Sequence, residues 1–266
     1  MTKLILFSLL LFSIFNNPLL SEATFEHPLR TQPVAVYSKI RVDAGASENR
    51  QLETYERDAN VSIEGEFKFL KFFSVKAGGG RTRYETTDAK TTQVWDRPYL
   101  GGKFGMIMGG DAFRFGFGGG VNVFNKQIGA HPRNEVAPDL YLVRPSLSMG
   151  MGIGTFEAIL EGTMQTETNT AFKEGPKEEF KRNYEAALSL SLGIFDWMRL
   201  FAETRYYLPY DKKIDNLIQG WYVYPGISFN IYEMGRLSAS FQFPVSKQDY
   251  LVERGVKISY FHFFEF

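Results

Sequence analysis

The sequence predicts an all-β fold, a 12-stranded antiparallel up-and-down transmembrane β-barrel, on three observations. Runs of strictly alternating apolar and polar residues recur along nearly the whole chain, the number of runs is even, and the connections between them alternate short and long. Each run is long enough for a tilted crossing of a bilayer, which takes about 9 to 11 residues.

Taken in order, the first run sets Val34, Val36, Ile40 and Val42 against Tyr37, Lys39 and Arg41. The second sets Ala59, Val61, Ile63, Phe67 and Phe69 against Asp58, Asn60, Ser62, Glu64 and Glu66. The third has Phe73, Val75 and Ala77 opposite Ser74, Lys76, Gly78 and Gly80. In the fourth, Leu100, Phe104, Met106 and Met108 face outward and Gly101, Lys103 and Gly105 inward. The fifth puts Phe113, Phe115, Phe117, Val121 and Val123 against Arg114, Gly116, Gly118, Gly120 and Asn122. The sixth alternates Tyr141, Val143, Leu147, Met149 and Met151 with Leu142, Arg144, Ser146, Ser148 and Gly150. The seventh sets Phe156, Ala158, Leu160 and Met164 against Glu157, Glu161, Thr163 and Gln165. The eighth sets Tyr184, Ala186, Leu188, Leu190 and Leu192 against Glu185, Ser189 and Ser191. The ninth, less regular, has Leu200, Ala202 and Tyr206 opposite Phe201, Glu203, Arg205 and Tyr207. The tenth places Trp221, Val223, Ile227, Phe229 and Ile231 against Tyr222, Tyr224, Gly226, Ser228 and Asn230, and the eleventh Leu237, Ala239, Phe241 and Phe243 against Ser238, Ser240 and Gln242. The twelfth is Val256–Phe266, expected to close on Val34–Val42.

Short connections (70–72, 109–111, 152–155, 194–198, 232–235) face the periplasm in such barrels, and the longer polar ones (85–98, 125–138, 166–182) face outside. Aromatic residues fit two rims: Phe69, Phe73, Phe113, Phe156, Trp197, Tyr232, Phe264 and Phe266 below, Tyr99, Tyr141, Tyr184 and Trp221 above.

Composition agrees. Aromatic residues make up 16% of the chain, with 25 Phe, 14 Tyr and 25 Gly, and no long apolar run follows the N-terminus, which suits strands in lipid better than helices. Residues 1–23 read as a cleaved signal peptide: Lys3, an apolar run from Leu4 to Phe15, then Ser21-Glu22-Ala23. Residues 24–33 follow as a short periplasmic tail and residues 34–266 as the barrel. With no cysteine there is no disulfide framework, and a formal net charge of zero excludes the basic excess that nucleic-acid binding needs.

The aromatic, alternating terminus with Tyr260, Phe264 and a final Phe266 resembles the C-terminal signal of bacterial outer-membrane β-barrel proteins. The resemblance implies outer-membrane localisation, reading of those residues by the barrel-assembly machinery, and contact with outer-membrane lipid.

The inward positions suggest function. Lys39, Arg41, Lys76, Lys103, Arg114 and Arg144 lie on the early strands, while Glu157, Glu161, Glu185 and Glu203, with Arg205, lie on the later ones. In a closed ring these would form a basic and an acidic wall, so the expectation is a passive channel for small polar solutes with those eleven residues lining the pore. The competing expectation is that the charges pair and close the lumen, leaving a structural barrel or one that interacts through its outer loops. A lipid-modifying enzyme would need a histidine beside a nucleophile. His27 lies in the tail and His262 on the lipid phase; His131, near Glu135 and Asp139 in an outer loop, reads as solvated. The expectation is therefore a non-enzyme without metal or cofactor. Inward glycines cluster at 78, 80, 101, 105, 116, 118 and 120, where they would either widen the lumen or admit a ligand along one wall, or relieve crowding by inward aromatics such as Tyr222 and Phe261 and let the sheet curve, the second reading being preferred.

Overall fold

The computed structural model describes residues 25, 29–51, 54–86, 91–110, 112–125, 141–168, 182–209, 220–231, 235–245 and 254–264. The expected leader, His27, His131, most of the charged loop 166–182, Tyr232 and Phe266 lie outside these residues.

Alternation of period two forces successive side chains to opposite faces of each strand, and the sheet closes because its last strand finds its first. The strands are β1 (Lys39–Gln51), β2 (Thr54–Leu70), β3 (Phe73–Thr86), β4 (Thr91–Trp95), β5 (Tyr99–Gly109), β6 (Phe113–Phe124) and β7 (Tyr141–Ile153). They continue as β8 (Phe156–Thr168), β9 (Arg182–Phe195), β10 (Met198–Pro209), β11 (Gly220–Ile231), β12 (Gly235–Pro244) and β13 (Arg254–Phe263). Every pairing is antiparallel, and β1 meets β13 from Lys39 opposite Phe263 to Glu48 opposite Arg254.

Thirteen strands make twelve staves. Both β4 and β5 pair with β3, β4 against Arg81–Glu85 and β5 against Phe73–Gly78, so they form one stave interrupted at Asp96–Pro98. Pro98 has no N–H to give the ladder. Asp96 bridges the break: its N–H donates to Gly80 O at 2.9 Å, and its carboxylate accepts from Thr82 Oγ1 at 2.7 Å. The upper half of this stave falls in what the sequence suggested was a loop, because five residues carry too little alternation to stand out.

Three further corrections concern Val34 and Val36, the segment 29–36, and Tyr99. The wall begins at Lys39, so Val34 and Val36 do not face lipid; both are buried, and residues 29–36 enter the barrel instead of trailing below it. Tyr99 belongs to the inward phase of β5 and hydrogen-bonds Glu64, so it leaves the upper aromatic rim. At the short-turn end the rim is present: Trp197 stacks between Phe195 at 5.4 Å and Phe229 at 6.1 Å. The turns there use left-handed glycine where the chain reverses most tightly, at Gly109 (φ 103°) and Gly235 (φ 107°).

The outward face is a continuous apolar band, with Leu100 66%, Leu147 59% and Ile63 58% exposed. A water-facing surface of this kind would aggregate, whereas lipid covers it without cost. Ile63→Arg, near the middle of β2, is expected to destabilise the barrel by about 2–4 kcal/mol in phospholipid vesicles, measured by urea unfolding.

Candidate functional site: a filled, charged lumen

Facing inward, the same alternation delivers a polar lining that must be satisfied within the barrel. Glu203 on β10 is 1% exposed, and its carboxylate is taken by three consecutive backbone N–H groups of the N-terminal segment. Leu29 donates to Oε1 at 2.8 Å, Thr31 to Oε2 at 2.6 Å, and Arg30 to both at 3.2 and 3.0 Å. Successive N–H groups converging on one anion form a nest, which holds charge well in a low-dielectric site. Glu161 accepts Gln32 N–H at 2.9 Å, and Glu157 accepts Phe25 N–H at 3.3 Å.

Cations of the wall take the carbonyl groups of the same segment. Arg41 donates to Leu29 O, Arg205 to Arg30 O and Lys103 to Ala35 O. Ser146 Oγ reaches Gln32 Oε1 at 2.7 Å, and the Arg30 guanidinium lies 4.4 Å over the Tyr224 ring. The wall thus grips mainly backbone. Two apolar knots complete the seat: Phe25 and Val34 against Ile159, and Leu29 against Phe201 and Phe261.

Glycines make the room. A Cβ at Gly105 would overlap Val34 O, one at Gly116 would come within 2.7 Å of Val34 Cγ1, and one at Gly150 within 3.0 Å of the Phe25 ring. Gly118 and Gly120 face Val34 O and the Gln32 side chain. Gly105, Gly116, Gly118, Gly120 and Gly150 are therefore the imprint of the inserted segment, whereas Gly101 faces Asn122; relief of aromatic crowding holds at Gly78, beneath Tyr99, and at Gly226, beneath Phe201.

No family model matches the chain, and no curated protein sequence does. Its architecture, in contrast, is shared with solved structures at low identity. An outer membrane channel from Pseudomonas putida F1 superposes with a TM-score of 0.65 at 10% identity, over 89% of this chain and 99% of that one. The transport unit of the autotransporter AIDA-I from Escherichia coli gives 0.52 at 12%, over 96% and 98%. The translocator domain of the autotransporter NalP from Neisseria meningitidis gives 0.50 at 15%, over 90% and 91%. The fold is that of the bacterial outer-membrane β-barrels.

Within this barrel, the eleven inward residues expected from the sequence all point into the lumen, but they do not form two opposed walls. They pair around the ring. Lys39 lies 3.1 Å and Lys103 3.6 Å from Glu66, with Lys76 beside it in register. Arg114 and Arg199 flank Glu157 at 3.5 and 3.4 Å. Arg144 holds Glu185 at 2.8 Å, and Arg205 joins Glu185 to Glu161. Arg41 and Lys257 share Asp43 at 2.8 and 3.1 Å. Glu66 lies on the inward phase expected for the second run; residues that sequence reasoning left out of the lining include Asp43, Arg199 and, above all, segment 29–36. Pro33 and the bulky inward-facing gap implied by Gly105, Gly116, Gly118 and Gly150 were the available signals for the segment.

Proposed function

We propose that the protein is exported by its leader to the outer membrane and acts there as a passive channel for small polar solutes, held shut by residues 29–36. One observation carries this reading: the lumen is lined with ionised side chains along its length, and what fills it is a terminal segment and not the wall itself. The similarity to an outer membrane channel supports the same class of function.

The proposal assigns no catalytic step. His262 stands on the outward face of β13, away from the lumen.

Reconstitution in a planar bilayer tests it. Wherever a conducting state is reached, replacing Lys103 and Arg144 by Gln should move the reversal potential towards cation selectivity. Absence of conductance across several preparations, both for the full chain and for one lacking residues 25–36, would overturn the reading. That outcome would favour a non-conducting barrel acting through its outer loops, to which the dense luminal pairing already lends support.

A further inference from the structure

Residues 29–38 belong to no strand, so the backbone of this largely buried stretch has no ladder of its own and must find its partners elsewhere. Wall side chains of both signs supply them. Glu203 and Glu161 take the N–H groups of four consecutive residues, Leu29 to Gln32. Arg41, Arg205 and Lys103 take the carbonyl groups of Leu29, Arg30 and Ala35, so Leu29 and Arg30 are held at both ends of their backbone.

Glu203 is the telling member of this set. A buried carboxylate in a charged lumen normally ends beside a cation. Arg205 lies two residues away on the same face of β10, yet its guanidinium reaches Glu161 and Glu185. Among the described residues Glu203 makes no ion pair, and its two oxygens are turned to peptide N–H groups. A seat that holds N–H and C=O groups reads the repeating unit of any polypeptide, and main-chain hydrogen bonds are how proteins bind peptides with little regard to sequence. A free peptide also brings an ammonium and a carboxylate terminus, which match the same acids and bases.

We propose that this seat is a binding site for short peptides. Once residues 29–36 withdraw, amide N–H groups of the incoming peptide go to Glu203 and Glu161, and its carbonyl or terminal carboxylate oxygens go to Arg41, Arg205 and Lys103. Residues 29–36 are the intramolecular competitor. Naming short peptides as the solute that crosses rests on the channel reading, whereas binding at the seat does not require conduction.

The probe is the acetylated octapeptide Leu-Arg-Thr-Gln-Pro-Val-Ala-Val, the sequence of residues 29–36, labelled at its C-terminus and read by fluorescence polarisation on protein in phosphatidylcholine nanodiscs. Full-length L29D/V34W carries a charge in one apolar knot and excess bulk against glycine in the other. It should bind the probe at least about tenfold more tightly than wild type, in which the tethered segment competes at high effective concentration. Replacing the Arg, Thr and Gln side chains of the probe by Ala should change its binding less than about fivefold. Esters in place of the amides at the positions of Arg30 and Thr31 delete two donors and should weaken it on the order of 25-fold, about fivefold per hydrogen bond. Adding Glu203→Ala to L29D/V34W should remove most of that difference, because amide and ester then face the same missing partner. Equal binding of the amide and ester probes to L29D/V34W would overturn the inference, as would failure of the alanine probe to bind. If L29D/V34W lacks heat-modifiable migration on gels, wild type decides. An excess of the alanine probe, which trypsin does not cut, should expose Arg30 of the folded protein to trypsin, and its ester form should not; protection of Arg30 throughout overturns the inference. Conductance of the same preparations separates the two readings. A conducting barrel that binds no peptide overturns this inference alone, and a barrel that binds the peptide without conducting supports the seat and overturns the channel.

Discussion

Removing residues 25–36 is expected to raise single-channel conductance at least tenfold over the full chain, while β1 to β13 still form a heat-modifiable barrel. The deleted segment supplies none of the strand ladder, since the wall starts at Lys39 and closes from there on β13. What it does supply is a run of backbone and side chains seated inside the lumen, with Leu29, Thr31, Val34 and Ala35 almost wholly buried. Its loss orphans Glu203 and part of Glu161, but in the vacated lumen water replaces the backbone N–H groups, so the cost of unpaired buried charge is avoided. Planar-bilayer recording of the two proteins is the direct check. Equal conductance would mean that the ion-paired ring itself, and not the segment, sets the constriction.

Glu203→Ala is expected to free the segment without deleting it. Three N–H groups now bonded to one carboxylate would be buried without partners if the segment stayed in place, at roughly 1–3 kcal/mol each. The two apolar knots around Phe25 and Leu29 oppose release, but Leu29 is itself one of the donors and loses its hydrogen bond in place. The balance should favour a largely withdrawn segment, read as proteolytic clipping near Arg30 in folded protein and as conductance approaching that of the deletion. Glu203→Gln keeps one acceptor oxygen and should fall between. Persistent protection of Arg30 in Glu203→Ala would show that the apolar contacts alone hold the segment.

The wall was legible because two solvents act on one strand. Lipid selects Val61, Ile63, Leu147 and Leu160 on one side while the lumen selects Ser148, Glu161 and Ser189 on the other, and period two then fixes phase and direction. The inserted segment was illegible for the same reason. Val34 and Val36 alternate with small or aromatic neighbours and so mimic a lipid-facing run, although their real neighbours are Ile159 and glycine backbone. Apart from Arg41 to Leu29, the hydrogen bonds that hold the segment join residues about 70 to 175 positions apart, beyond any local pattern. The glycine cluster recorded the missing volume, but it did not say what filled it. Similarly, the charges were identifiable as luminal, whereas their partition into pairs depends on barrel curvature that brings Arg205 between Glu161 and Glu185.

The seam between β1 and β13 bears on how such a chain comes to be folded. Ser259 Oγ donates to Asp43 across 216 positions of sequence, and the other nine ladder pairs of the seam are similarly remote. Each neighbouring hairpin can zip with a short loop, but this last joint carries the largest loop-closure entropy in the molecule. It should therefore form late, leaving two long strand edges open in the meantime. Ser38 stands where that joint meets the inserted segment, its carbonyl accepting Phe264 N–H at 3.1 Å and its hydroxyl accepting Lys68 N–H at 3.0 Å. Closure of the ring thereby fixes the root of the segment as well, so the rate at which the lumen first becomes blocked is tied to the slowest step of barrel assembly.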